Sequence, residues 1–285
     1  MNAVISKKTQ LSGVMLALGL IFTPLLNAEK NNENEHLLKK VIASKHRSDA
    51  QKTRDEFRHP QQTLEFFGVH PTMKLVEIWP GGGWYTDILA PFLKDKGHFV
   101  AAHFDPDSGV KYYTRSLDKF KKKVAANQAV YGDFDITVFN PPKKVAMTQA
   151  DSADMVLTFR NVHNWYMRGE DKSVKAAFAG MFKVLKPGGV LGVVEHRLPE
   201  DRDQKKAKRS GYMKQSLVVK WATEAGFKLV AESDINANKK DTADHPEGVW
   251  TLPPSLRLGD KDKAKYQAIG ESDRMTLKFV KPAVR

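Results

Sequence analysis

The sequence predicts an α/β protein built on a doubly wound, mostly parallel seven-stranded sheet. Two observations predict it. From Lys74 onward, apolar runs of four to six residues alternate with amphipathic segments of helical length, as strands do when helices cover both faces of their sheet. The first of these runs passes through an acid and three consecutive glycines, Glu77-Ile78-Trp79-Pro80-Gly81-Gly82-Gly83, immediately before a helix-like stretch. Glycines at a strand-to-helix turn let backbone approach a ligand closely, and the helix start supplies unpaired N–H groups. Open α/β sheets hold nucleotide-like cofactors in this way, at the carboxyl ends of their strands.

The elements follow in order. Lys7 and Lys8 precede an apolar run from Leu11 to Leu26 that ends at Ala28. A basic start, a short apolar core and a small-residue end read as a signal peptide over residues 1–28, which implies export, most simply to a periplasm. No later segment is apolar enough to cross a membrane. Residues 29–70 form a helical extension, with helices expected over 36–53 and 61–67, the second ended by Gly68. The main domain, 71–285, then begins with strand 74–78, helix 85–93, strand 98–104, helix 108–124 and strand 128–131. A loop through Asn140-Pro141-Pro142 leads to strand 155–159, helix 172–185 and strand 190–194. Helix 213–225, strand 227–232 and a closing strand 275–280 complete it. Before that last strand lies a long insertion, 236–273, rich in proline and charge; such a loop inside a compact domain is usually functional and reads as a lid.

Composition narrows the chemistry. The 285 residues are 41% apolar, enough for one full core, and there is no cysteine, which excludes disulfides, thiolate metal sites and cysteine nucleophiles. The formal charge is +13, but the lysines lie in separate patches (119–123, 205–209, 261–265) without interleaved aromatics. They read as solvated faces, and no specific nucleic-acid partner is expected. The oligomeric state stays open.

Four groups of residues fall at successive strand ends and would converge on one crevice, because parallel strands place their carboxyl ends on one edge. Glu77 with Gly81, Gly82 and Gly83 follows the first strand, with Trp84 and Tyr85 beside them. Asp105 follows the second, 22 residues after Gly83, near the offset of about 20 at which an acid meets ribose hydroxyls. Asp133 and Phe134 follow the third, offering a carboxylate and a ring to a purine. Arg160, Asn161, His163 and Trp165 follow the fourth, and His163 is the candidate base. Glu195 and His196 close the fifth strand, where they could meet a substrate or form an ion-pair cluster with Arg197. In the insertion, His245 and Trp250 are candidate substrate contacts. Asp241, Asp244 and His245 lack a metal-ligand spacing, so no metal site is expected.

On these residues the chain resembles the class I S-adenosylmethionine-dependent methyltransferases over about residues 70–280. The turn Leu185-Lys186-Pro187-Gly188-Gly189 before a strand and a closing strand antiparallel beside the sixth are habitual there. Several runs are also similar to a family of exported bacterial proteins described as predicted methyltransferases: Arg58-His59-Pro60, 77–86, 158–165, 194–197, 241–254 and 270–277. The resemblance implies a Rossmann-like methyltransferase fold with S-adenosylmethionine as cofactor and a small-molecule acceptor. Glu77 and the glycines would hold the methionine part, Asp105 the ribose, Asp133 and Phe134 the adenine, with Tyr85, Arg160 and Asn161 completing the site. The chain departs from the family at Trp79, where the turn usually has its first glycine. A nicotinamide cofactor fits less well, since the third glycine of its fingerprint would fall on Thr86. The rival function is a catalytically silent extracytoplasmic ligand-binding protein with the same fold.

Overall fold

The computed structural model describes residues 22–283. The first 21 residues of the expected signal segment lie outside the described part, and its last seven begin the first helix. Among the described residues, no helix is long and apolar enough to cross a membrane.

The amino-terminal extension is four helices rather than two: α1 (Phe22–Ile42), α2 (Asp49–Lys52), α3 (Asp55–Arg58) and α4 (Pro60–Phe67). Ser48 and Gln51 cap α2 reciprocally, Pro60 starts α4, and Gly68 ends it in a left-handed conformation. The domain proper runs β1 (Lys74–Ile78), α5 (Thr86–Leu93), β2 (His98–His103), α6 (Lys111–Ala125), α7 (Gln128–Tyr131), β3 (Asp135–Val138) and β4 (Ala153–Phe159). It continues through α8 (Val162–Val184), β5 (Leu185–Leu198), β6 (Met213–Lys214), α9 (Gln215–Glu224), β7 (Lys228–Ser233), α10 (Lys263–Ile269) and β8 (Arg274–Val280).

The main sheet has the order β3-β2-β1-β4-β5-β8-β7, with the short β6 paired to β5. β1 to β5 are parallel, and β8 is inserted antiparallel between β5 and β7, as expected for the closing strand. Strand order reverses between β1 and β4, which opens a crevice beyond their carboxyl ends. One core lies on each face: Val76, Ile78 and Val156 pack under α8 and α9, while Leu75, Leu157 and Phe99 pack under α4, α5 and α6. This two-sided burial explains the near-continuous apolar strands.

Three expected elements differ. Residues 128–131 are a helical turn, and the third strand is Asp135–Val138, an edge strand whose half-exposed residues carry no apolar run. Asp133 and Phe134 therefore precede this strand instead of following it. The helix expected from Lys172 starts ten residues earlier, at Val162, and kinks at Gly169 and Glu170. β5 extends past the expected 190–194 through Leu198, carried by its pairing of Glu195 with Met275 and His196 with Arg274.

Candidate active site

A cavity of about 770 Å³ occupies the crevice beyond β1 and β4. Its floor is the glycine turn and the start of α8. Gln51, Arg54 and Arg58 of the extension close one side, and Trp250, Pro253 and Pro254 of the 236–273 insertion close another. The insertion thus contributes one wall of the crevice.

Glu77, at the penultimate position of β1, is 2% exposed and accepts a 2.6 Å hydrogen bond from Thr86 Oγ1 at the start of α5. Burial is the main reason its pKa rises to about 8; the Thr86 bond opposes that rise, and the Asp87 carboxylate adds to it. Gly81 takes φ +59°, which favours glycine, and a Cβ added at Gly81 or Gly82 would meet nothing within 4 Å. The turn therefore faces open cavity at these two residues. Gly83 does not line it: a Cβ there would press on Phe120 at 3.0 Å, so this glycine serves packing.

Two side chains that sequence reasoning did not single out hold the turn's carbonyls. His103 Nε2 donates to the Gly81 carbonyl at 3.1 Å, while its Nδ1 accepts the Phe104 N–H at 2.8 Å. That pair of bonds fixes the neutral tautomer, and burial pushes the imidazole pKa down to about 4. Lys123 Nζ donates to the Gly82 carbonyl at 3.0 Å and pairs with Asp87. Both residues look ordinary in the sequence, one ending a strand and one in a lysine patch.

Trp79, directly after β1, takes a left-handed conformation, φ 46°. Its Nε1 donates to the Phe139 carbonyl at 2.6 Å, and its ring packs among Phe104, Tyr113, Phe139 and Trp165. Only 5% of the residue is exposed, so the indole forms a wall of the cavity and does not fill it. Arg160, one residue beyond β4, is left-handed too, φ 60°. Two bulky residues thus hold left-handed backbone at the ends of adjacent strands, both on the cavity wall.

The structure brings Tyr85, Arg160, Asn161, His163, His196 and Trp250 to the cavity with Glu77, Gly81 and Gly82. Tyr85 presents little, being stacked on Phe159 at 3.6 Å between ring centres. Asn161 Nδ2 donates to the Ile78 carbonyl at 2.8 Å, tying β4 to β1. Five other candidates lie elsewhere. Asp105 is 3% exposed and held by Lys144 at 2.8 Å and Asn140 at 2.9 Å, in a separate hollow of about 430 Å³. Asp133 accepts from Gln128 on the surface, and Phe134 packs against Phe99, a consequence of the displaced third strand. Trp165 is 1% exposed in the core behind Trp79, since the early start of α8 turns it inward. His245 Nε2 donates to Asp241 at 2.8 Å within the insertion, where Asp241 also receives Tyr212 Oη.

His163, on the first turn of α8, makes the site's most directed contact. Glu195 Oε1 lies 2.9 Å from His163 Nδ1, and Oε2 accepts the His163 backbone N–H at 3.1 Å. Glu195 is fully buried and Oε1 also accepts the His196 N–H at 2.8 Å. A carboxylate can only accept, so Nδ1 carries the proton and Nε2 is left with a free lone pair on the opposite edge of the ring. Candidate ligand atoms of His163, Glu195 and His196 lie within 4.8 Å of one another. Both Glu195 oxygens accept from N–H donors, which fixes the orientation of the trio. His196 is held neutral by burial, with the adjacent His163 and Arg274 acting in the same direction.

The remaining wall is cationic. Glu271 pairs with Arg54 at 2.5 Å, Arg58 at 3.3 Å and Arg274. These residues come from α2–α3 and, more than 200 positions later, from the end of the insertion and the start of β8, so no local pattern announces them.

The sequence matches no family model and no curated protein. Solved structures do share its fold. A SAM-dependent methyltransferase from Aquifex aeolicus superposes with TM-score 0.52 at 13% identity, covering 87% of this chain and 98% of its own. The [4+2]-cyclase SpnF superposes with TM-score 0.56 at 14% identity, covering 90% and 96%. At such identities the likeness is one of fold: an α/β, mostly parallel sheet of Rossmann-like methyltransferase type.

Proposed function

We propose that the chain is an exported S-adenosylmethionine-dependent methyltransferase acting on a small-molecule acceptor. One observation carries this reading: a buried acid at the end of β1 stands beside a glycine turn that opens into a cavity at the strand-order reversal. The residues fit the cofactor's amino-acid end. Glu77 offers a carboxylate for an ammonium group, Gly81 and Gly82 offer close backbone approach, and Arg160 and Asn161 flank them. The volume suits a drug-sized ligand together with an acceptor. Phe104, Tyr112 and Tyr113 line the far side, and the exposed Tyr112 ring offers an adenine a stacking surface in place of Phe134.

When bound, S-adenosylmethionine supplies a methyl group on a positively charged sulfur that leaves readily as a neutral thioether. The chain's own part is alignment. Glu77 and the glycine turn fix one reactant, while α8 and the insertion bound the space for the other; such positioning is worth roughly 7–11 kcal/mol of a barrier. His163 Nε2 is the base that takes the acceptor's proton, worth typically ~10²–10⁴-fold where the nucleophile arrives protonated. Glu195 is its positioning residue, holding the tautomer and stabilising the imidazolium that forms. Trp250, with its ring 6.1 Å from that of His163, screens the site from water.

Equilibrium dialysis of the protein against methyl-labelled S-adenosylmethionine tests the proposal. Retention saturating near one label per chain supports it; no retention at millimolar ligand overturns it.

A further inference from the structure

The cationic wall carries more charge than the cofactor can use. Four guanidiniums, those of Arg54, Arg58, Arg160 and Arg274, face one ionised carboxylate, Glu271. Their mutual repulsion and burial are visible in their acidity. Burial first, and then Arg274, lower Arg160 to about 10, and burial with the neighbouring Arg160 depresses Arg58. Glu271 is held far below the usual carboxylate range: burial opposes this, and Arg274, Arg58 and Arg54 outweigh it. Glu77 adds no compensation near neutral pH, because its pKa of about 8 leaves it mostly protonated. Among the described residues, Arg160 has no ion-pair partner, and Arg274 Nε has no hydrogen-bond partner although it is buried. Arg160 is a partly buried, unpaired cation on the cavity wall and Arg274 Nε a buried, unbonded donor; both are costly, and a ligand of opposite charge would satisfy them.

S-adenosylmethionine does not supply it. Its carboxylate is balanced by its own ammonium, and its sulfonium adds a further positive charge. That carboxylate can neutralise at most one guanidinium, which leaves a surplus.

We propose that Arg54, Arg58, Arg160 and Arg274 around Glu271 form an anion subsite that receives a doubly charged head group, phosphate or dicarboxylate, of the methyl acceptor. The proposal rests on the methyltransferase reading for the word acceptor, and on the charge geometry alone for the anion. The planar forks of Arg58 and Arg160 suit either oxyanion. Arg58 lies 4.6 Å over the Trp84 ring, which presets its orientation before an anion arrives.

Calorimetric titration at constant ionic strength with inorganic pyrophosphate and with malonate tests the subsite, on the full chain with and without saturating S-adenosylhomocysteine. Saturable binding of at least one probe, kept within threefold when S-adenosylhomocysteine is present, is expected; pyrophosphate alone points to a phosphorylated acceptor, malonate alone to a dicarboxylate. Arg54→Gln, at a half-exposed position that tolerates change, and Arg160→Gln should each weaken the probe tenfold or more. Arg54→Gln should leave S-adenosylhomocysteine affinity within threefold, and surface Lys175→Gln should change neither. Absence of binding by both probes, displacement of the probe by S-adenosylhomocysteine, or an Arg54→Gln variant that binds the probe like the wild type overturns the subsite. Probe binding without S-adenosylhomocysteine binding would overturn the methyltransferase reading instead and leave the anion site standing.

Discussion

Glu195 grips His163 twice, through Nδ1 at 2.9 Å and through the backbone N–H at 3.1 Å. The first bond sets the tautomer and the second fixes the first turn of α8 against β5, so the imidazole edge and the helix start are positioned by one carboxylate.

Glu195→Gln should therefore reverse the imidazole. A glutamine amide can donate to Nδ1, which moves the proton to Nε2 and removes the lone pair from the cavity. Nitrogen-15 NMR of histidine-labelled protein should show His163 protonated on Nδ1 in the wild type and on Nε2 in the variant. With an acceptor in hand, kcat should fall by roughly 10²–10⁴-fold while KM changes little.

Glu77 makes stability depend on pH in a defined direction. Its folded pKa of about 8 exceeds the ordinary value of 4.5, so the native state binds the extra proton between those values. Its contribution is fully present below pH 4.5 and is lost as pH rises through about 8. Urea denaturation from pH 5 to 9 should show a decline that Glu77→Gln removes. A ligand ammonium favours the ionised form, so S-adenosylmethionine affinity should rise over the same interval.

His103 acts with the opposite sign. Its folded pKa of about 4 lies below the ordinary 6.5, so the unfolded chain takes up the proton first and stability falls as pH drops from 6.5 toward 4. His103→Gln keeps a donor near the Gly81 carbonyl and cannot titrate. That variant should lose this acid sensitivity while the glycine turn still binds ligand, as parallel denaturation and binding measurements would show.

Trp79 sets packing against strain. Removing the indole costs about 3–5 kcal/mol of buried contact, and glycine relieves roughly 1–2 kcal/mol of left-handed strain. Trp79→Gly should thus be about 1–4 kcal/mol less stable than wild type. Trp79→Ala, which keeps the strain, should be about 1–2 kcal/mol less stable again. Chemical denaturation of the two variants checks the order.

The sheet was legible because buried parallel strands carry continuous apolar runs, and Glu77 with its glycines was legible because strand, acid and turn are contiguous. The third strand was not. As an edge strand it has half-exposed residues, and the apolar alternation at 128–131 belongs to a helical turn. That one displacement moved Asp133 and Phe134 out of the site. Asp105 sits near the expected strand end, but Lys144, from a loop 39 residues away, turns its carboxylate into another hollow. His163 was found by position, whereas Glu195 acquired its role only because β5 runs on past residue 194. The arginine wall was the least legible, since its members join from opposite ends of the chain.

On the proposed function, the Glu77 glycine turn holds an adenosyl sulfonium cofactor. Calorimetric titration of S-adenosylhomocysteine into the wild type and into Gly81→Val, where a β-branched residue would be forced to φ +59°, tests it most directly. Saturable one-site binding to the wild type, weakened tenfold or more in the variant, is expected. Absence of binding up to millimolar ligand, or equal affinity in both proteins, would contradict it.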